Sequence, residues 1–134
     1  MATQHFNWIS YYTLANELAA RTDEASRRSA ISRAYYYVYH LGYARAASNG
    51  FKLIDGETSH KQLWRNYSES PDHDCKKLAV IANRLREKRV RADYNKVFLR
   101  IDDEIEALIQ DAQDFAAGLV ALPPRFPDPT HVRQ

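Results

Sequence analysis

The sequence predicts an all-α protein, an antiparallel bundle of about five helices over residues 1–122 with a disordered Pro-rich tail over residues 123–134. Three observations predict it. Apolar residues recur at three- and four-residue spacing in five segments, and no segment shows the strict alternation of a half-buried strand. Only four glycines occur, and four of the five prolines fall in the last twelve residues, so little interrupts the helical pattern. Start and stop signals lie between the segments. With 134 residues, the chain is expected to form one domain with a core of its own.

The first helix is expected from about Trp8 to Ala20, capped by Asn7, with Trp8, Ile9, Tyr12, Ala15, Leu18 and Ala19 facing the core. The second, over Arg27–Gly50, is the one around which the others should pack. Thr22 is its expected N-cap, Asp23 and Glu24 favour the positive end of the dipole, and Asn49-Gly50 is its stop. Ile31, Tyr35, Val38 and Gly42 share one face, widened by Ala34 and Leu41. Arg33 and His40 fall together on the opposite face, with Tyr36 and Tyr37 between them. A helix this apolar is central, so its few polar groups need partners.

Phe51–Thr58 reads as a loop turning at Asp55-Gly56. Ser59 is the expected cap of a short third helix through Tyr67 that buries Leu63, Trp64 and Tyr67, with His60 at its start. Ser70-Pro71 predicts the start of the fourth helix, with Cys75, Leu78, Ala82 and Leu85 on one stripe. From Leu85 to Asn95 the stripe is interrupted by Arg86, Arg89 and Ala92-Asp93-Tyr94. This predicts either a bend or a wall of a polar cleft. The fifth helix is expected over about Val97–Leu122, from the repeat Phe98, Ile101, Ile105, Leu108, Ala112, Phe115 and Leu119, ended by Pro123-Pro124.

Charge is distributed unevenly. Nine Lys or Arg lie between Lys76 and Arg100 against Glu87 and Asp93, whereas 101–115 hold six acids and no base. Two helices whose charged faces attract each other explain this, and so does a footprint for nucleic acid, with Arg84, Arg86, Lys88 and Arg91 as the basic surface. The single Cys75 excludes an internal disulfide and fits a reducing cytoplasm. No span of membrane length and no leader is read, so a cytoplasmic location without membrane attachment is expected. No metal-ligand spacing occurs, and neither a metal nor another cofactor is expected.

Ser32-Arg33-Ala34-Tyr35-Tyr36 with Tyr39-His40 resembles the S-R-A-Y-Y-x-x-[FY]-H signature of prokaryotic HEPN domains. Ser59-His60 with Leu63 and Tyr67 is similar to a second block of that family, and Arg89-x-x-Ala92-Asp93-Tyr94 to its R-x-x-A-D-Y motif, followed here by Asn95 where Asp is common. The three blocks keep their order and spacing over roughly residues 10 to 120. The resemblance implies a helical bundle that commonly dimerises. It also implies a place in a toxin–antitoxin or antiphage defence system, binding RNA or cutting it as a metal-independent endoribonuclease. Its catalytic signature is an Arg followed, after four to six residues, by a His. If Arg89 is that Arg, Tyr94 stands in the place of the His. A tyrosine titrates near 10 and is a poor base at neutral pH. The departure favours the alternative of a non-catalytic dimerisation or partner-binding subunit. A nucleotide-sensing module is a third reading.

Arg33, His40, Arg89 and Tyr94 are therefore the candidate catalytic residues, and Ser32, Tyr36, His60, Asp93 and Asn95 the polar network around them. Arg33 and Asp93 are expected to meet directly or through one intermediary, since unpaired charge on core-forming helices is costly. The same network could instead fix helix register with no activity. Other Arg–His pairs at similar spacing, Arg33 with His40 and Arg125 with His131, are set by the second helix and by chance in the tail. Tyr36, Tyr37, Tyr39 and Tyr43 crowd several sides of one helix, and from them a homodimer or a heteromer with a defence or antitoxin partner is expected.

Overall fold

A computed structural model describes residues 5–129. Five helices make up the bundle: α1 (Ile9–Ala19), α2 (Glu24–Ser48), α3 (Ser59–Ser68), α4 (His73–Tyr94) and α5 (Ile101–Ala121), and no strand occurs among the described residues. Among the described residues no helix is long and apolar enough to cross a membrane. α2 packs against all four others. Its residues Ala30, Ile31, Ala34, Tyr35 and Val38 are fully buried, as the periodicity requires of a central helix.

Ion pairs and caps fix the directions of the helices. Arg27 at the start of α2 pairs with Asp102 at the start of α5, so these two run the same way. Arg84 binds Asp111 through two bonds of 2.9 Å and Lys88 binds Glu104 at 2.6 Å, which sets α4 and α5 antiparallel. The basic and acidic segments thus attract each other across a helix pair. α3 runs alongside α2, since Tyr35 meets His60 and Gly42 meets Tyr67. The loop between α2 and α3 carries the chain back to make this possible.

Most helix starts move by one or two residues from expectation. Asp23, not Thr22, caps α2, its carboxylate accepting from the Ser26 amide at 2.9 Å. Thr58, not Ser59, caps α3, and Asp72, not Ser70, caps α4. In each case the residue with extended backbone three positions before a free amide takes the cap. At α1 the cap position is Trp8, not Asn7, and carries no side-chain cap bond; Asn7 Oδ1 accepts from the Ile9 amide at 3.1 Å just before the helix. α4 does not break at 85–95 but runs on as one helix to Tyr94. α5 begins at Ile101 rather than Val97. Arg100 turns the chain in the left-handed region (φ 61°), and Asp102, Asp103 and Glu104 then fill the first turn, where the helix dipole favours acids.

Two arginines close helix ends. Arg28 Nη1 donates to the carbonyls of Ala92 (3.0 Å) and Asn95 (2.6 Å), and its Nε to Glu24 (2.7 Å), tying the start of α2 to the end of α4. Arg45 does the same for α5 through Leu119, Leu122 and Pro123. The tail is described only to Pro129. That part lies against the bundle, with Pro127 fully buried and its carbonyl accepting from Asn49 at 3.2 Å. His131 lies outside the described residues. Arg28→Ala is expected to cost about 1.5–3 kcal/mol, the range for hydrogen bonds to a charged group. Urea unfolding checks this, and a loss under about 0.5 kcal/mol, the scale of an ordinary surface change, would mean that water replaces the guanidinium.

Candidate functional site

Where α2, α3 and α4 meet, the chain gathers its aromatic and cationic side chains. The α2 contribution is set by helical spacing: Ser32, Arg33, Tyr35, Tyr36, Tyr39 and His40 fall within three turns. α4 adds Arg86, Arg89 and Asp93 from one of its sides. α3 adds His60, held in its first turn by the Thr58 cap and by Gln62. The buried Gln62 amide straps the preceding loop to α3, donating to the carbonyls of Ile54 (2.8 Å) and Glu57 (2.9 Å) and accepting from the Ile54 amide (2.8 Å).

Arg89 is the unusual member. It is 8 % exposed, yet its one ion pair, to Asp93 on the next turn, is 3.5 Å long. The faces of Tyr35 and Tyr36 lie 5.6 and 5.4 Å from its guanidinium carbon, and its buried Nε has no hydrogen-bond partner among the described residues. Tyrosine faces attract a cation but leave its N–H groups unsatisfied. Arg33 lies over Tyr11 at 4.8 Å and Tyr36 at 5.6 Å. Its Nη2 donates to Ser32 Oγ (3.4 Å), and that hydroxyl donates to Asp93 (3.3 Å). Arg33 and Asp93 therefore meet through one side chain, as expected. Asp93 is itself exposed, so this carboxylate is shared among groups it does not fully neutralise.

His60 sits at the end of a hydrogen-bonded chain. Trp64 Nε1 donates to Tyr35 Oη at 3.0 Å, and Tyr35 Oη lies 2.6 Å from His60 Nδ1. An indole N–H only donates, so the Tyr35 oxygen accepts it. Burial raises the Tyr35 hydroxyl to about 12, against smaller opposing effects of Trp64 and of Arg86 and Arg89, so it keeps its proton and has one available to donate to Nδ1. His60 is lowered to about 4, first by burial and then by the charges of Arg86 and Arg89. It is neutral at pH 7, and a Tyr35 hydroxyl that donates to Nδ1 places the ring proton on Nε2. That nitrogen has no partner among the described residues and is not buried.

The other candidates are placed differently. His40 stacks face to face on Trp8, with centroids 3.4 Å apart and planes at 5°, and burial lowers it from the usual histidine range. It borders the cluster through Tyr39. Tyr94 is 75 % exposed and takes no part in the cluster, because the helix continues through it and helical spacing turns that position outward from Asp93. Asn95 contributes its carbonyl to Arg28, and its side chain to a shallow groove of about 350 Å³ along α4 that also holds Asn83, Arg86, Val90 and Arg91. Of the basic surface, Arg84 and Lys88 are held by α5 and Arg91 by Glu87 at 2.8 Å. Arg86 alone of the four enters no ion pair among the described residues, and it lines the groove next to the cluster. The parts that sequence reasoning missed are Tyr35 as the partner of His60 and Trp64 behind it. Their spacing of 25 and 29 residues leaves no local signal.

The result is a cluster in which Arg33 and Arg89 lie on tyrosine faces beside the His60 imidazole and the carboxylate of Asp93, with Arg86 next to it in a groove that also holds Glu87. Such an arrangement can hold an anion between the arginines and stack a planar group on the rings. Among the described residues no group of three or more His, Cys, Asp or Glu is placed to hold a metal. Cys75 is buried, and burial pushes its thiol up, away from nucleophilic use. No family model matches this chain, and neither does any curated protein or solved structure.

Proposed function

We propose that this chain is an HEPN-like module that binds single-stranded RNA through the cleft between α2, α3 and α4, within a prokaryotic toxin–antitoxin or antiphage system. The observation that carries this reading is Arg89, a buried guanidinium that shares the ring of Tyr36 with Arg33 and acts together with Arg86 on His60. Buried charge without a full set of partners is costly in an isolated fold and is relieved by an anion. Tyr36 and Tyr39, half-buried beside it, offer faces for bases. The expected result is binding of a mixed single-stranded RNA pool that weakens steeply with salt, since phosphate contacts release counterions. Fluorescence anisotropy against NaCl concentration checks it, and RNA affinity unchanged by Arg89→Met would overturn it. Any cleavage should survive EDTA and leave a 2′,3′-cyclic phosphate, with the ribose 2′-hydroxyl as nucleophile. The outward Tyr94 and the stacked His40 make binding without cleavage the expected outcome.

A second reading is favoured by the apolar groups near the end of α4 and beyond it. Val90, Tyr94, Val97 and Leu99 are 40, 75, 65 and 77 % exposed. A non-catalytic subunit that uses this surface for a second copy or a partner protein would be dimeric or heteromeric. Sedimentation of wild type beside Leu99→Glu separates the two readings, because only the second needs this surface.

A further inference from the structure

We propose that Trp64, Tyr35 and His60 form a tautomer lock that presents a neutral imidazole Nε2–H, beside Arg86 and Arg89, to a phosphodiester oxygen of the RNA backbone. This rests on the RNA-binding reading and names what the cleft holds. The geometry is specific. The indole of Trp64 is 1 % exposed and fixed by packing, its Nε1–H fills one lone pair of Tyr35 Oη, and the hydroxyl proton then has one acceptor within reach, His60 Nδ1. The imidazole is left with a single outward donor. Arg89, nine-tenths buried with its Nε unpartnered among the described residues, supplies a charge-assisted donor in the same cluster.

The lock adds a geometric reason to burial and to the charges of Arg86 and Arg89, which come first, for His60 to resist protonation. A proton on Nδ1 would turn that nitrogen into a donor facing the Tyr35 oxygen, and the tyrosine proton would lose its acceptor. From α2, Tyr35, Tyr36, Tyr39 and His40 face the ring, and from α4 Arg86 and Arg89. None of these is an anion near neutral pH. The nearby carboxylate, Asp93, is engaged with Ser32 and Arg89. A neutral donor keeps phosphate binding steady across the physiological range, where an imidazolium would make it rise on acidification.

Side-chain ¹⁵N–¹H spectra of His60, recorded across about pH 5 to 8 around the ordinary histidine value, test the proposal in the full chain. Wild type should show a bare Nδ1 and a protonated Nε2, and a short oligouridylate or inorganic phosphate should shift the Nε2–H resonance. In Tyr35→Phe, with folding checked by circular dichroism, His60 should titrate closer to the ordinary value of about 6.5. RNA should then bind that variant severalfold tighter at about pH 5.5 than at about pH 7.5, with a flatter profile in wild type and none of the extra slope in Tyr35→Phe/His60→Gln. An Nδ1–H tautomer in wild type, an Nε2–H resonance unmoved by both anions, or an unchanged titration in Tyr35→Phe overturns the proposal. If oligouridylate does not bind but phosphate shifts Nε2–H, the RNA reading fails and the lock on an anion site stands. If RNA binds and His60 does not respond, the RNA reading stands and this inference fails.

Discussion

Replacing Arg89 by Met is expected to leave the fold as stable as before, or up to about 1–4 kcal/mol more stable, while RNA affinity falls roughly 10- to 100-fold. The opposed signs follow from its surroundings. Arg89 is 8 % exposed, and it faces Tyr35 and Tyr36 and one carboxylate at 3.5 Å. A methionine of similar length fills that space without a charge to desolvate. The partner left behind, Asp93, is exposed and keeps the Ser32 hydroxyl, so removing Arg89 strands no buried charge. If Arg89 served only to fix helix register, the same substitution would cost about 3–5 kcal/mol, as breaking a buried pair does. Urea unfolding and anisotropy on the same two proteins separate a binding residue from a structural one.

Trp64→Ala is expected to destabilise the protein by about 3–5 kcal/mol, the range for a buried aromatic truncated to Ala. The indole packs against Tyr67 and Phe115 at 5.5 and 5.6 Å between ring centroids. It also lies so close to α2 that a Cβ at Gly42 would meet its Cη2 at 2.7 Å and Cζ3 at 2.9 Å. Gly42→Ala should therefore cost stability in wild type, where overpacking of about 1–3 kcal/mol outweighs the helix preference of Ala over Gly, about 1 kcal/mol. In the Trp64→Ala background the overlap is gone, and the same change should stabilise. A four-protein unfolding cycle reads this reversal, and an equal cost in both backgrounds would show that Trp64 is not what keeps position 42 small.

The bundle was legible because its signal is local. The repeat through Ile31, Tyr35, Val38 and Gly42, and that from Ile101 to Leu119, each name a buried face, and Asn49-Gly50 and Pro123-Pro124 end their helices within a residue or two. The cap positions were less legible, since Thr22 and Asp23, or Thr58 and Ser59, are neighbours of equal capping chemistry. Which one caps depends on the backbone angle that the incoming loop imposes.

Of the candidate site, the amino-acid order by itself determined which charges had to find partners. Arg33 and Asp93 sit on core-forming helices, and they meet through the buried Ser32 hydroxyl although Arg33 is only half-buried and Asp93 exposed. The basic run of α4 and the acidic run of α5 allowed either mutual attraction or a nucleic-acid footprint, and Arg84 and Lys88 are held by α5. Tertiary structure alone decided the rest. Tyr94 follows Asp93 by one residue, but a continuous helix turns successive positions about 100° apart, so one faces the cleft and the other faces water. His60 lies 25 residues from Tyr35, and a return loop rather than any periodicity brings them to 2.6 Å. The tautomer and protonation of His60 depend on burial and on the distances to Arg86 and Arg89, which exist only once α2, α3 and α4 have packed.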